Sequence, residues 1–343
     1  MQPSLTEVLA LARLTGHPRR QAQQCSSFSA ASKLLANQAA SAQDLELTEH
    51  WLSQGQRRVI HWFEADYPDQ LRGISQPPLV LFCAGNSQLL NAPQVAVIGS
   101  RKGSPPAQHT ARFLAEHLTR AGLLVSSGMA QGIDRAAHEA ALSVGPTLAV
   151  LGTGPDKVFP RQHRQLQQRI EQGGVLVSEF VPGTTARRDH FPRRNRILSG
   201  LAKGVLVIEA QLRSGTLSTA RLALEQNRSL MAIPGSIWDE GMTGNLRILQ
   251  QGAALVTCVD DVCNELNFKR QAPTSENQPE NKYGRSLANP GLLANVGNEA
   301  TSIDTIVARS GLPVAVVSEQ LVLLELEGRV ASVAGGYIKV GRR

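Results

Sequence analysis

Aromatic residues make up only 4% of the 343-residue chain, and no apolar run approaches the length of a membrane span. The four cysteines, Cys25, Cys83, Cys258 and Cys263, form no CxxC pair. That spacing argues against the usual structural zinc site. The first residues, MQPSLTEVLALARL, carry Glu7 and helical periodicity, unlike an export signal. The cysteines therefore read as reduced thiols, and the expected location is cytoplasmic, without a membrane partner. No GxxxxGK[ST] is present, which excludes a P-loop ATPase. No clean GxGxxG follows a strand, because Gly152-x-Gly154 runs into Pro155-Asp156-Lys157. HExxH and clustered His/Cys metal ligands are also missing, so no cofactor and no metal is expected.

What is present is a globular chain with 42% hydrophobic residues and length enough for two or three domains. Its formal charge of +7 and pI near 9.6 favour an acidic partner without naming one.

From Val95 onward the pattern strand, loop, helix repeats. Apolar runs begin at Val95, Leu123, Thr147, Val175, Val205, Leu230 and Ala254. Such alternation predicts a parallel sheet covered on both faces, with the strand-exit loops on one edge, where ligands of these folds bind. The exits carry small residues: Gly99, Ser100, Ser127, Gly128, Gly132, Gly152, Gly154, Ser214, Gly215, Thr216 and Gly235. Arg101 directly follows the first Gly-Ser turn, so its guanidinium is expected over the pocket. Asp134 and His138, four apart on one helix face, could suggest acid/base work. A helix cap by Asp134 and a packed or half-exposed His138 is the plainer reading.

The stretch Phe191–Ala220, FPRRNRILSGLAKGVLVIEAQLRSGTLSTA, concentrates the signal. Arg193, Arg194 and Arg196 surround Asn195 and precede a short helix-like turn at Ile197, Leu198 and Leu201. Val205–Ile208 reads as a buried strand. It ends in Glu209 and a loop bearing Ser214-Gly215-Thr216, where a helix begins with Ser214 or Thr216 as N-cap. A helix N-terminus after a small-residue loop is an anion site, and several arginines feeding it suggest a polymer of phosphates.

Residues 4 to about 55 read as small helices, with Ser4 as a cap and Ser32–Asn37 as a later short piece. Val59–Gly85 bridges to the repeat with two strand-like runs. Pro77-Pro78 would confine the second to a sheet edge, or would have to lie at its first residues. Trp62, Phe63, Tyr67 and Phe82 lie there. Core packing suits them better than base stacking, since they sit inside apolar runs. Residues 269–290 are polar and read as a linker. Helices at 302–308 and 314–327, then strands at 329–333 and 337–340 about Gly335-Gly336, look like a winged helix. The second of these helices is acidic (Glu319, Glu325, Glu327), which favours a protein contact over major-groove reading.

The segments VAVIGSR, SSGMAQGIDRAAHEAAL, VLGTGPDKVFP, SEF, FPRRNRILSGLAKGVLVIEA, SGTLSTA, PGS and GNLRILQQGAALV resemble, in order and spacing, the DNA-processing protein A family (DprA, also called Smf). The likeness covers about Val59–Asp261. It implies an α/β fold: an extended Rossmann-like domain at 59–268, after a helical, SAM-like domain at 1–58. A linker at 269–290 and a winged-helix-like domain at 291–343 follow. It also implies a non-enzymatic, homodimeric binder of single-stranded DNA that protects incoming DNA and loads the RecA recombinase in natural transformation, with single-strand-binding protein as a further partner. In the family the arginine of the GSR turn and a basic residue before the Phe of FPxRNR bind the strand; these are Arg101 and Arg188, with Phe191 as the matching aromatic. The implied site is Gly99, Ser100, Arg101, Gly128, Arg188, Phe191, Arg194, Asn195, Arg196, Ser214, Gly215 and Thr216. The family often has Tyr-Pro and Asn where this chain has Phe159-Pro160 and His163. Related folds include nucleotide-cleaving phosphoribohydrolases with a PGGxGTxxE-like loop. The corresponding Leu212–Ala220 keeps Gly-Thr but places Ala220 near the catalytic Glu position, which removes an evident acid or base.

Overall fold

The structure is a computed structural model that describes residues 3–35, 40–270, 290–297, 300–326, 329–333 and 335–340. It contains two compact units, 1–273 and 274–343.

The first unit opens with four helices: α1 (Leu5–Arg13), α2 (Gly16–Gln24), α3 (Phe28–Ser32) and α4 (Ala42–Leu52). Ser4 caps α1 in a reciprocal box, its hydroxyl accepting from Glu7 N while the Glu7 carboxylate accepts from Ser4 N. Val8, Leu9, Leu11 and Trp51 pack into one core with Phe82, Ala149 and Leu176 of the sheet. The helices thus share their core with the sheet. In the predicted piece Ser32–Asn37, residues 36 and 37 lie outside the described residues.

The alternation from residue 57 builds nine strands in one sheet. In chain order the elements are β1 (Arg57–His61), α5 (Asp69–Arg72), β2 (Val80–Gly85), β3 (Gln94–Ile98), α6 (Pro105–Arg120), β4 (Leu124–Ser127), α7 (Ile133–Ala141), β5 (Thr147–Val150), α8 (Arg164–Gly173), β6 (Val175–Ser178), α9 (His190–Leu201), β7 (Gly204–Val207), α10 (Gly215–Glu225), β8 (Ser229–Ala232), α11 (Thr243–Gln250), β9 (Ala254–Leu255) and α12 (Val259–Glu265). Every residue of β3 to β7 is buried, as continuous apolar runs between two helical layers require. Val95 and Val97 point into the core under α6, α7 and α12, and Ala96 and Ile98 into the opposite core with Ile197 and Leu201 of α9.

The strand order is β1-β2-β6-β5-β4-β3-β7-β8-β9. β3 to β9 are parallel, and β2 is antiparallel to both of its neighbours. The chain winds outward one way from β3 through β4, β5 and β6, then returns beside β3 as β7 and winds the other way. The crevice between the β3 and β7 exits is therefore the topological switch point, where such sheets take ligands.

β2 is paired on both sides, so Pro77-Pro78 do not mark an edge; they precede the strand. Their carbonyls accept from Arg19 Nη2 and Tyr67 OH. Tyr67 and Phe82 are fully buried, and Trp62 and Phe63 pack on the core. Packing, not base stacking, accounts for these rings.

The second unit holds α13 (Pro290–Leu293), α14 (Ile303–Ser310), α15 (Val314–Leu326) and a hairpin of β10 (Val330–Val333) and β11 (Gly336–Lys339). Leu292, Val296, Ile306, Val317, Leu321, Leu324 and Val330 form its core. Residues 271–289 of the predicted linker, and Glu327, lie outside the described residues, and Pro290 already opens a helix. Thr301 bridges to Tyr337, an element the sequence did not show. Beside Glu319 and Glu325, α15 exposes Val314, Val316 and Val322. No single helix is long and apolar enough to cross a membrane among the described residues.

Candidate nucleic-acid interface

At the switch point the strand exits enclose an open groove of about 930 Å³. Gly99, Ser100, Arg101, Arg188, Phe191, Arg194, Asn195, Ser214, Gly215 and Thr216 all line it, together with Lys102, Phe159, Glu209 and Asp239. A smaller cavity of about 200 Å³ continues from it, lined by Gly128, Met129, Gly152, Phe159, Phe191 and Arg194. Of the predicted site, Arg196 alone reaches neither.

The β3 exit is fixed by its backbone. Ser100 N donates to Glu209 O across the crevice (2.8 Å), and Ile133 N donates to Ser100 O (3.2 Å). Arg101 and Lys102 leave this turn exposed, and Arg188 is exposed on the segment before α9. No described acid forms an ion pair with any of the three. A second cleft, of about 700 Å³, includes Arg57 and Arg58 in its lining. Those arginines are paired with Glu171, Glu64 and Asp66. Of these two clefts, the switch-point groove is the one whose lining holds described cations without an ion pair.

The basic cluster is helical, not a lead-in to a short turn. α9 begins at His190 and carries all three arginines. Arg196 turns away from the groove and bonds Glu179 and Gln76 O, and Arg193 also pairs with Glu179 (3.0 Å). Both are therefore held by Glu179, whose side chain is 3% exposed. Arg194 points inward, donating to the carbonyls of Gly128 and Val150 and to Asn195 Oδ1. A Cβ at position 128 would lie 2.5–2.7 Å from that guanidinium, so only glycine fits. Burial lowers the Arg194 pKa to about 10, still far above neutrality. Arg194 thus keeps its charge at the wall shared by the two cavities.

Asp134 does not cap α7, whose N-cap is Gly132; it reaches back and accepts from Gly128 N (3.1 Å) and Ala130 N (3.2 Å). Burial raises its pKa, and the Arg194 charge opposes that rise. His138 is fully buried. Thr147 Oγ1 donates to Val125 O, so His138 Nδ1–H donates to Thr147 Oγ1 (2.8 Å). His163, in the loop that departs from the family pattern, is also buried and donates from Nδ1 to Met129 O (3.1 Å).

Burial lowers the His138 pKa to about 3, with Arg194 and His163 adding to the effect, and burial also lowers that of His163. An unfolded histidine binds a proton below about pH 6.5. Between that pH and 3 the unfolded chain holds the extra proton, so stability falls as pH falls. From pH 6.5 to 5, His138 alone is expected to cost about 2 kcal/mol. Asp134, raised by burial, acts with the opposite sign at lower pH. Urea midpoints at pH 7 and 5 measure this, and His138→Gln should flatten the dependence. An unchanged slope in that variant would mean the imidazole is not held neutral by the fold.

Phe191 is seated by three neighbours. Gly152 leaves room for its ring, which a Cβ there would meet at 2.9 Å. Phe159 lies 5.2 Å away between centroids, and the Arg101 guanidinium lies 5.6 Å from the Phe191 centroid. Ser214, not Thr216, caps α10: its hydroxyl accepts from Thr216 N (3.1 Å). Gly215 has open space around it. The helix start thus presents backbone N–H groups to the groove.

Sequence reasoning missed three structural ties. Glu209 is 5% exposed, and its carboxylate accepts from Ser104 N (3.0 Å) and Ser104 Oγ, closing the groove floor against the α6 cap. Asn245, in the GNLRILQQG motif, donates from Nδ2 to Val207 O, Ile208 O and Ile233 O (3.0–3.1 Å), stitching the β7 and β8 exits together. Phe159 packs on Phe191. Only Glu209 carried a signal, an acid directly after a buried strand.

The doubly wound sheet, its cation-lined switch point and the separate winged-helix unit define a Rossmann-like α/β protein with an edge suited to phosphate. The chain belongs to the DNA recombination-mediator protein A family, whose profile matches residues 58–267; the DprA winged helix domain matches residues 276–336. Protein Smf of Escherichia coli is 43% identical over 298 residues, covering 85% of this chain and 80% of that protein. DNA processing protein DprA of Streptococcus pneumoniae is 44% identical over 203 residues, covering 59% of this chain and 72% of that protein. The X-ray structure of the Streptococcus pneumoniae protein superposes with a TM-score of 0.65 at 33% identity, over 77% of this chain and 99% of that one. DNA processing protein A of Helicobacter pylori, solved for its single-stranded DNA binding mode, gives 0.58 at 28% identity, over 64% and 99%.

Proposed function

We propose that this chain binds single-stranded DNA along the strand-exit edge and acts as a recombination mediator. In this reading it protects incoming DNA and loads the RecA recombinase on it during natural transformation. It works in the cytoplasm as a homodimer formed through the Rossmann-like domain, with single-strand-binding protein as a further partner. The division into helical, Rossmann-like and winged-helix domains at 1–58, 59–268 and 291–343 is part of the proposal. One observation carries it: unpaired Arg101, Lys102 and Arg188 line the same groove as an aromatic ring, Phe191, which Arg101 overlies. Cations beside stacking rings fit a flexible, base-bearing phosphate chain. The smaller cavity beside Phe191 has room for a base. The membership of the Helicobacter pylori relative in the same family supports the choice of ligand.

The test is strand exchange with RecA and single-strand-binding protein, with and without the chain. Acceleration from strands already coated with single-strand-binding protein is expected. No acceleration, with oligonucleotide binding intact, would remove the loading role and leave the binding role.

The mediator is proposed to be non-catalytic. Ala220 is buried in α10, and the two buried carboxylates of the groove are engaged, Glu209 with Ser104 and Asp134 with Gly128 N and Ala130 N. Incubation with nucleoside monophosphates is expected to release no free base; detectable release would favour the phosphoribohydrolase reading.

Removing residues 283–343 is expected to leave single-strand affinity within a few fold, because the cationic groove lies in the first unit. A tenfold loss, about 1.4 kcal/mol, would make the winged unit part of the DNA site.

A further inference from the structure

The loop leaving β8 holds a tryptophan almost wholly in water. Trp238 is 88% exposed and Ile237 is 74% exposed, whereas Trp51 is buried and Trp62 packs on the core. The loop is a built turn. Trp238 N donates to Ser236 Oγ (3.2 Å), Asp239 N to Ser236 O (3.1 Å), Gly241 N to Asp239 Oδ1 (2.8 Å) and Met242 N to Asp239 O (3.0 Å). The backbone beneath the indole is fixed while the ring stays uncovered, an arrangement that favours a flat, apolar-faced ligand.

Its position narrows the ligand. β8 is parallel to β7 and next to it, so the loop opens on the groove's edge, two sheet steps or about 10 Å from the β3 exit. Asp239, the next residue, lines the groove itself. The groove lining divides by charge: Arg101, Lys102, Arg188 and Arg194 are cationic, and of its acids Asp134 is buried within reach of the Arg194 charge while Glu209 and Asp239 follow β7 and β8. Phosphates are drawn to the first group and repelled by the second. What meets Trp238 is therefore the uncharged part of the strand.

We propose that Trp238 is a base-stacking platform that extends the single-strand site across the switch point. Phosphates lie along Arg101, Lys102 and Arg188, and a base lies on the indole beside the acidic residues. The proposal rests on the single-strand reading above. Its test uses the tryptophan emission of the full chain, titrated with a thymidine oligonucleotide and with an abasic oligonucleotide of the same length. The thymidine strand is expected to quench emission more than the abasic strand. In Trp238→Phe that quenching should vanish, with a smaller loss of affinity than in Trp238→Ala because the ring that remains can still stack. In Trp238→Ala affinity should fall about 5- to 150-fold with the salt dependence unchanged. If Trp238→Ala binds like the parent while Arg101→Ala binds weakly, the platform is wrong and the groove stands. If neither substitution weakens binding, the single-strand reading itself falls. A Trp238 emission change driven by protein concentration alone would show that a second copy covers the indole, and would also overturn the proposal.

Discussion

Arg194→Met is expected to cost the fold about 2–6 kcal/mol, because it leaves two buried carbonyls without their donor at about 1–3 kcal/mol each. The guanidinium serves the carbonyls of Gly128 and Val150, and its charge offsets the buried Asp134 carboxylate. Methionine fills much of the volume but leaves two acceptors and a charge without compensation. The double variant Arg194→Met with Asp134→Asn should recover part of the loss, because it also removes the stranded charge. Urea unfolding of the two variants and the parent measures this. An Arg194→Met chain as stable as the parent would show that the residue is held for the ligand alone.

Arg101→Ala and Arg188→Ala should leave stability unchanged and each weaken single-strand binding by about 1.5–3 kcal/mol, the range for a hydrogen bond to a charged group. The loss should be equal for all base sequences, since phosphates carry no sequence information. The slope of log K against log salt should fall by about 0.7 per contact removed. Phe191→Ala contrasts with both. Loss of a stacked base costs about 1–3 kcal/mol with the slope unchanged. The Arg101 guanidinium lies over the Phe191 ring, so the two losses are not expected to add. Unchanged affinity and slope in Arg101→Ala would make the Gly-Ser-Arg turn purely structural. A Phe191→Ala chain that both melts and binds normally would remove the ring from the site.

The parts of this fold that could be read from the sequence are those set by neighbouring residues. The run Val205–Ile208 reads as a buried strand, and β7 (Gly204–Val207) with Ile208 after it is buried throughout. Ser214 caps α10 because its hydroxyl reaches Thr216 N two residues on. The edge carrying the site followed from the alternation of strands and helices. Strand order did not, because nothing local says that β7 returns beside β3. The fates of the arginines were equally hidden. Arg193, Arg194 and Arg196 are near neighbours in sequence, yet helical geometry sends Arg194 under the β4 exit and Arg196 to Glu179. Glu179, 17 residues earlier in the chain, decides that Arg196 is structural. The sequence leaves β2 open between a sheet edge and prolines at its start, and pairing on both sides removes the first alternative.

Gly128, Asp134 and Arg194 constrain how this sequence can drift. Even alanine at 128 would meet the guanidinium within 2.7 Å. Giving up the arginine first strands Asp134, and giving up the aspartate first leaves Gly128 N and Ala130 N without their acceptor. Every single step away from the trio passes through a weakened fold. Lineages should therefore keep the three residues together or exchange them together, whatever strand the groove holds.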